Sequence, residues 1–123
     1  MRPQNPEIRL DILITKEEDY FQAHCLQFDL VATDDTMKGA QEAILALCDA
    51  HVRFSLENDN MEYLFSPAPK EVWAAYLACL KKEGVSFAFK ELKVSLEDEK
   101  YSSMIPPFMI QEVMSYDQCT RRY

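Results

Sequence analysis

The run Ile8-Arg9-Leu10-Asp11-Ile12-Leu13-Ile14-Thr15 decides how the rest of the chain is read. Ile8, Leu10, Ile12 and Ile14 alternate with Arg9 and Asp11, and a period of two places the isoleucine set on one face of a strand and the charges on the other. Lys16-Glu17-Glu18-Asp19 is a polar break of turn length. Residues 20–26 resume a β-favouring pattern that opens on two aromatics, so the two segments form a hairpin. A short third strand follows over 28–32, closed by Thr33-Asp34-Asp35-Thr36.

Downstream of this point the period changes. Asp34, Asp35 and Thr36 offer side-chain oxygens to the free amides of a helix start, where the carboxylates also suit the positive end of the dipole. Met37, Ala40, Ile44, Leu47, Cys48 and His51 then recur with a 3.6-residue period, giving one apolar stripe to lay on the sheet. Leu45, Val52 and Leu56 make a second stripe, which asks for a cover of its own, from the C-terminal half or from another subunit. Gly39, near the helix start, costs about 1 kcal/mol against alanine and has no reason visible in the sequence.

Glu57-Asn58-Asp59-Asn60 ends that unit, and the prolines of Ser66-Pro67-Ala68-Pro69 hold an extended connector. A second helix is predicted over 70–82, with Val72, Trp73, Tyr76, Leu77 and Leu80 on its apolar face and Trp73 as a packing anchor. Val85, Phe87 and Phe89 alternate like a strand, but Leu92, Val94 and Leu96 have the opposite parity, which predicts a bulge near Lys90-Glu91. After Pro106-Pro107, the spacing of Met109, Val113 and Tyr116 predicts a short C-terminal helix over 108–116. The fold class expected is α/β in the α+β sense: a three-stranded antiparallel sheet with a packed helix, then a second helix, a further strand and a short last helix. One domain spans 1–123, with the β-β-β-α unit at 7–58 and a C-terminal extension at 64–123.

The composition limits function. The chain has 123 residues, 48% of them hydrophobic, long enough to bury roughly two-thirds of its unfolded surface. With 13 Lys+Arg against 21 Asp+Glu the net charge is 13 − 21 = −8. Residues 1–60 hold 5 basic and 12 acidic side chains (−7), and 61–123 hold 8 and 9 (−1). A negative surface repels phosphates and forfeits counterion release, so direct nucleic-acid binding is disfavoured. The longest apolar run, 72–80, is nine residues, far below the roughly twenty needed to span a bilayer. With no apolar leader in the opening residues, a cytoplasmic location without membrane contact is expected.

Cys25, Cys48, Cys79 and Cys119 contain no Cys-x-x-Cys pair, and without an export signal they do not suggest a disulfide framework. A zinc site from His24, Cys25, Cys48 and His51 meets a geometric objection, because adjacent strand residues point to opposite faces. The same objection applies to Cys25 as a nucleophile beside His24. No metal, cofactor or catalytic residue is expected.

The order strand, strand, strand, helix carries a resemblance. Asp19-Tyr20-Phe21-Gln22-Ala23-His24-Cys25-Leu26-Gln27-Phe28-Asp29-Leu30-Val31-Ala32, then Asp35-Thr36-Met37 and the helical 40–47, resembles the HicB-like antitoxin domain over about fifty residues. The resemblance implies a small fold like a reduced ribonuclease H and a non-enzymatic role in a toxin-antitoxin system. Such proteins neutralise a small basic toxin of the HicA type that cleaves messenger RNA, and often form homo-oligomers. Many also carry a DNA-binding module. This sequence departs from the pattern at Gly39, and it shows no helix-turn-helix or ribbon-helix-helix after Leu92. The stretch 64–76, with Pro67-Ala68-Pro69 ahead of Trp73, is similar to an extension of HicB-like proteins that stand without a DNA-binding module.

The leading expectation is therefore an antitoxin-type binding module whose acidic half attracts a small basic protein, with Glu17, Glu18, Asp19, Asp34 and Asp35 as candidate partner-binding residues. An alternative is a self-associating structural module, a homo-oligomer such as a dimer, that has kept the fold and lost toxin and DNA binding. A third is a residual metal-dependent nuclease using Asp11, Asp29 and Asp49.

Overall fold

The computed structural model describes residues 8–81, 86–94 and 107–115. Strands β1 (Ile8–Lys16), β2 (Phe21–Cys25) and β3 (Leu30–Asp34) lead into α1 (Met37–Glu57). A 3-10 turn (Met61–Tyr63), α2 (Lys70–Leu80), β4 (Ser86–Leu92) and β5 (Phe108–Ser115) follow. The strands form one five-stranded sheet in the order β3-β2-β1-β5-β4. The first three pair antiparallel as expected, β5 lies parallel to β1, and β4 returns antiparallel to β5. The sheet is thus mixed and five-stranded rather than three-stranded and antiparallel.

The C-terminal segment is a strand, not the expected helix. Phe108, Ile110 and Met114 reach the core on the α1 side, and Val113 reaches the core under α2. A strand buried on both faces loses its alternation and reads as a mixed apolar run, so the helical spacing of Met109 and Val113 was coincidental. Tyr116 lies outside the described residues. The predicted bulge in β4 is absent as well: β4 pairs with β5 in unbroken register from Ser86↔Met114 to Leu92↔Phe108. The parity change has another cause, since Phe87 and Phe89 are exposed on one face while Leu92 enters the core on the other. Val85 and Leu96 lie outside the described residues.

β1 is the central strand, and everything from Leu10 to Thr15 is buried. Its odd-numbered face, expected to be polar and outward, is covered by α2 instead. Leu10, Ile12, Ile14, Ala23 and Cys25 pack against Ala40, Ile44, Cys48, Val52 and Leu56 of α1. Leu13, Leu26 and Val113 pack against Ala68, Val72, Tyr76 and Cys79 on the other face. One helix covers each side of the sheet, and the extended connector is fixed by Ser66 N–H to Gln27 O at 3.0 Å and Ala68 N–H to Leu26 O at 2.8 Å.

On α1 the buried stripe is Ala40, Ile44, Cys48, Val52, Ser55 and Leu56. Val52 and Leu56 follow Cys48 by four and eight residues and belong to the sheet-facing side, so only Leu47 and Phe54 are left outward, with 38% and 58% exposure. On α2 the buried set is Val72, Ala75, Tyr76 and Cys79, and Leu77 faces outward. Among the described residues no helix is long and apolar enough to cross a membrane.

Candidate functional site

Sheet register brings the five candidate carboxylates to one end of the molecule. Lys16 pairs with Phe21 and Phe21 with Asp34, so the β1–β2 turn bearing Glu17, Glu18 and Asp19 lies alongside the β3–α1 junction bearing Asp34 and Asp35. The turn is closed by Glu17 N–H to Tyr20 O at 2.7 Å. Two of the five acids are engaged locally. Glu17 Oε2 accepts from Thr15 Oγ1 at 2.9 Å. Asp34 Oδ2 accepts from Thr36 N–H at 3.0 Å and Thr36 Oγ1 at 3.1 Å. Thr36 in turn caps α1, its Oγ1 accepting from Gly39 N–H at 2.9 Å. This arrangement supplies the missing reason for Gly39: a Cβ there would overlap the Asp34 carboxylate.

Glu18, Asp19 and Asp35 are exposed, and their carboxylates make no hydrogen bond or ion pair among the described residues. Beside them Tyr20 is 40% exposed, and Lys16 Nζ stands 5.8 Å from the centre of the Phe21 ring. The result is an acidic, solvent-facing edge with an aromatic in its midst.

A second polar constellation, which the sequence reading missed, lies under α2. Asp11 is 6% exposed. Its Oδ1 accepts from Tyr76 Oη at 2.7 Å and Arg9 Nε at 3.1 Å, and its Oδ2 accepts from Gln27 Nε2 at 2.8 Å. Asp11 N–H donates to Gln27 Oε1 at 2.7 Å, so residue and amide recognise each other reciprocally. Gln111 closes the ring, donating to Tyr76 Oη at 3.2 Å and accepting from Arg9 Nη2 at 2.7 Å. Burial, then the neighbouring Asp11 carboxylate, pushes the Tyr76 pKa above the ordinary phenol value. The only hint in the sequence was an aspartate inside an otherwise apolar strand, since Tyr76 and Gln111 arrive from 65 and 100 residues away.

The opposite face holds a further buried carboxylate. Glu112 is fully buried on β5, with Oε1 accepting from Gln41 Nε2 at 3.1 Å and 3.4 Å from Lys90 Nζ, while its Oε2 has no hydrogen-bond partner among the described residues.

The three carboxylates of the nuclease alternative are not gathered. Asp11 is occupied under α2, Asp29 accepts from His24 Nε2 at 2.8 Å, and Asp49 pairs with Arg53 at 3.5 Å on α1, across the sheet from Asp11. Asp29 sits in the left-handed region at φ 56°, a conformation that aspartate tolerates in turns. The four residues of the hypothetical zinc site are also parted. His24 pairs with Leu13 on the α2 face, whereas Cys25 and Cys48 meet in the α1-side core. His51 donates from Nε2 to Leu64 O at 2.8 Å and packs on Phe28, ring centres 4.7 Å apart. Among the described residues no group of three or more His, Cys, Asp or Glu could hold a metal ion.

Cys25 and Cys48 are free thiols. The Cys48 thiol donates to Cys25, holding the Cys25 pKa below its ordinary value with help from the backbone around Phe28 and Gln27. Donation to Cys25 and burial push Cys48 upward. Cys79 is disulfide-bonded, a departure from the expectation drawn from compartment. Cys119 lies outside the described residues.

Comparison with protein-family models, with curated proteins and with solved structures finds no match to this chain.

Proposed function

We propose that this chain is a non-enzymatic, HicB-like binding module that sequesters a small basic protein of the HicA toxin type at the acidic end of its sheet. The observation that carries the reading is the convergence of Glu18, Asp19 and Asp35, three carboxylates without a partner among the described residues, around the exposed Tyr20. A patch of one sign steers an oppositely charged protein toward it, and an aromatic of Tyr20's kind supplies the anchor that charge alone does not. The order β-β-β-α over residues 8–57 agrees with the order that the HicB-like resemblance implies. Asp34 belongs to the scaffold of this surface, since it holds Thr36 and lies against Gly39.

The test is co-expression with any small basic protein encoded next to this chain's gene. A complex that co-purifies at low salt and weakens as salt rises is the expected result. Failure to form a complex at low salt overturns the reading.

A further inference from the structure

We propose that the basic partner is held at the outer edge of β3, where an extended segment of that partner, apolar in its middle and cationic at its ends, adds to the sheet as a further strand; this mode of attachment rests on the acidic-end docking proposed above. β3 stands at the end of the strand order and pairs only with β2. The hydrogen bonds of β2 fix which way the backbone of β3 faces. Glu17 N–H donates to Tyr20 O and Leu26 N–H to Asp11 O, so the even-numbered residues of β2 bond toward β1 and the odd-numbered ones toward β3. Their partners Leu30, Ala32 and Asp34 face inward, and the N–H and C=O groups of Val31 and Thr33 point out of the sheet. Val31 is 45% exposed, Thr33 is exposed, and the chain on both sides of the strand belongs to the described residues. Open edges are ordinarily guarded by lysine, proline or a bulge, and Leu30-Val31-Ala32-Thr33-Asp34 has none of these.

Charge selects the occupant. Asp29 precedes the strand, its Oδ1 2.8 Å from His24 Nε2, while Asp34 ends the strand and Asp35 follows it. The β1–β2 turn with Glu18 and Asp19 adjoins the Asp34 end, so the edge is continuous with the proposed acidic surface. A strand laid along β3 therefore meets carboxylates at both ends and Val31 between them, which fits lysine or arginine on either side of a β-branched or aliphatic centre. A second copy of this chain does not fit. Pairing the whole of β3 with itself about a two-fold axis at Ala32 sets Asp29 against Asp35 at both ends and Leu30 against Asp34.

The probe is the peptide acetyl-Lys-Lys-Val-Thr-Val-Lys-Lys-amide, titrated into the isotope-labelled full chain at low salt and followed by amide hydrogen exchange. Binding is expected to slow exchange of the Val31 and Thr33 amides at least about tenfold, because a strand hydrogen bond replaces water there. Thr33→Pro removes an outward donor where an edge strand tolerates proline, and is expected to weaken binding at least about tenfold with the far-UV circular dichroism unchanged. Peptide that binds without protecting these two amides overturns the strand addition and leaves the acidic-end docking standing, which the co-expression complex decides separately. No binding at millimolar peptide also overturns the strand addition, as does full affinity in Thr33→Pro.

Discussion

Gly39 shows how a residue that looks like a flaw in the sequence becomes a requirement in the fold. Alanine there should favour the helix by up to about 1 kcal/mol, but its Cβ would displace the Asp34 carboxylate from Thr36. Gly39→Ala is therefore expected to destabilise the protein by about 1 kcal/mol, the size of a lost cap interaction. The same change in an Asp34→Ala background is expected to stabilise it, and denaturant titration of the four variants would show the change of sign. Tyr76 makes a similar argument under α2. Tyr76→Phe removes a donor to a buried carboxylate and is expected to cost about 1.5–3 kcal/mol. Its pH signature has a definite sign. The folded-state pKa is raised, so the contribution is fully present below the unfolded tyrosine pKa of about 10 and is lost as pH climbs past it. Wild type should lose stability more steeply than Tyr76→Phe above that pH.

At the scale of elements, what the sequence revealed depended on how cleanly each element kept its period. β1 and α1 were legible because Ile8, Leu10, Ile12 and Ile14 alternate with the polar Arg9 and Asp11 and because Ala40, Ile44 and Cys48 keep helical spacing, so both mark the α1-side core even though α2 covers the other face of β1. β5 was misread as a helix because Ile110 and Val113 are buried on opposite sides. The β3 boundary moved from 28–32 to Leu30–Asp34 because Phe28 serves as a buried turn residue, its ring 5.6 Å from Phe65 and 6.4 Å from Phe108. The five acidic candidates could be named from the sequence, but their meeting at one end needed the register Lys16↔Phe21↔Asp34. The Asp11 network was hidden for the same reason, because its members come from four separate segments. A prediction at this scale concerns the helix start: Thr36→Ala should lower stability by about 1 kcal/mol, read from the thermal or denaturant midpoint.

At the scale of the whole molecule, the chain closes on itself through its last described strand. β5 sits beside β1 over eight paired residues, from Ile8↔Phe108 to Thr15↔Ser115, so the first half alone lacks the neighbour of its central strand. A fragment ending at residue 66 also lacks α2, leaving Leu13, Asp11 and Leu26 uncovered. It is expected to show no cooperative unfolding transition, where the full chain shows one. The acidic end, by contrast, is built by the first half, from the β1–β2 turn and the β3–α1 junction. The proposed binding function rests on the acidic end. The most direct measurement is isothermal titration, at low and at physiological salt, of any small basic protein encoded next to this chain's gene into the full chain and into a variant with Glu18, Asp19 and Asp35 all changed to lysine. Tight, salt-sensitive binding by the wild type is expected, with a loss of at least about a hundredfold in the triple variant, because attraction becomes repulsion at a charged interface. Equal affinity of the two proteins would contradict it.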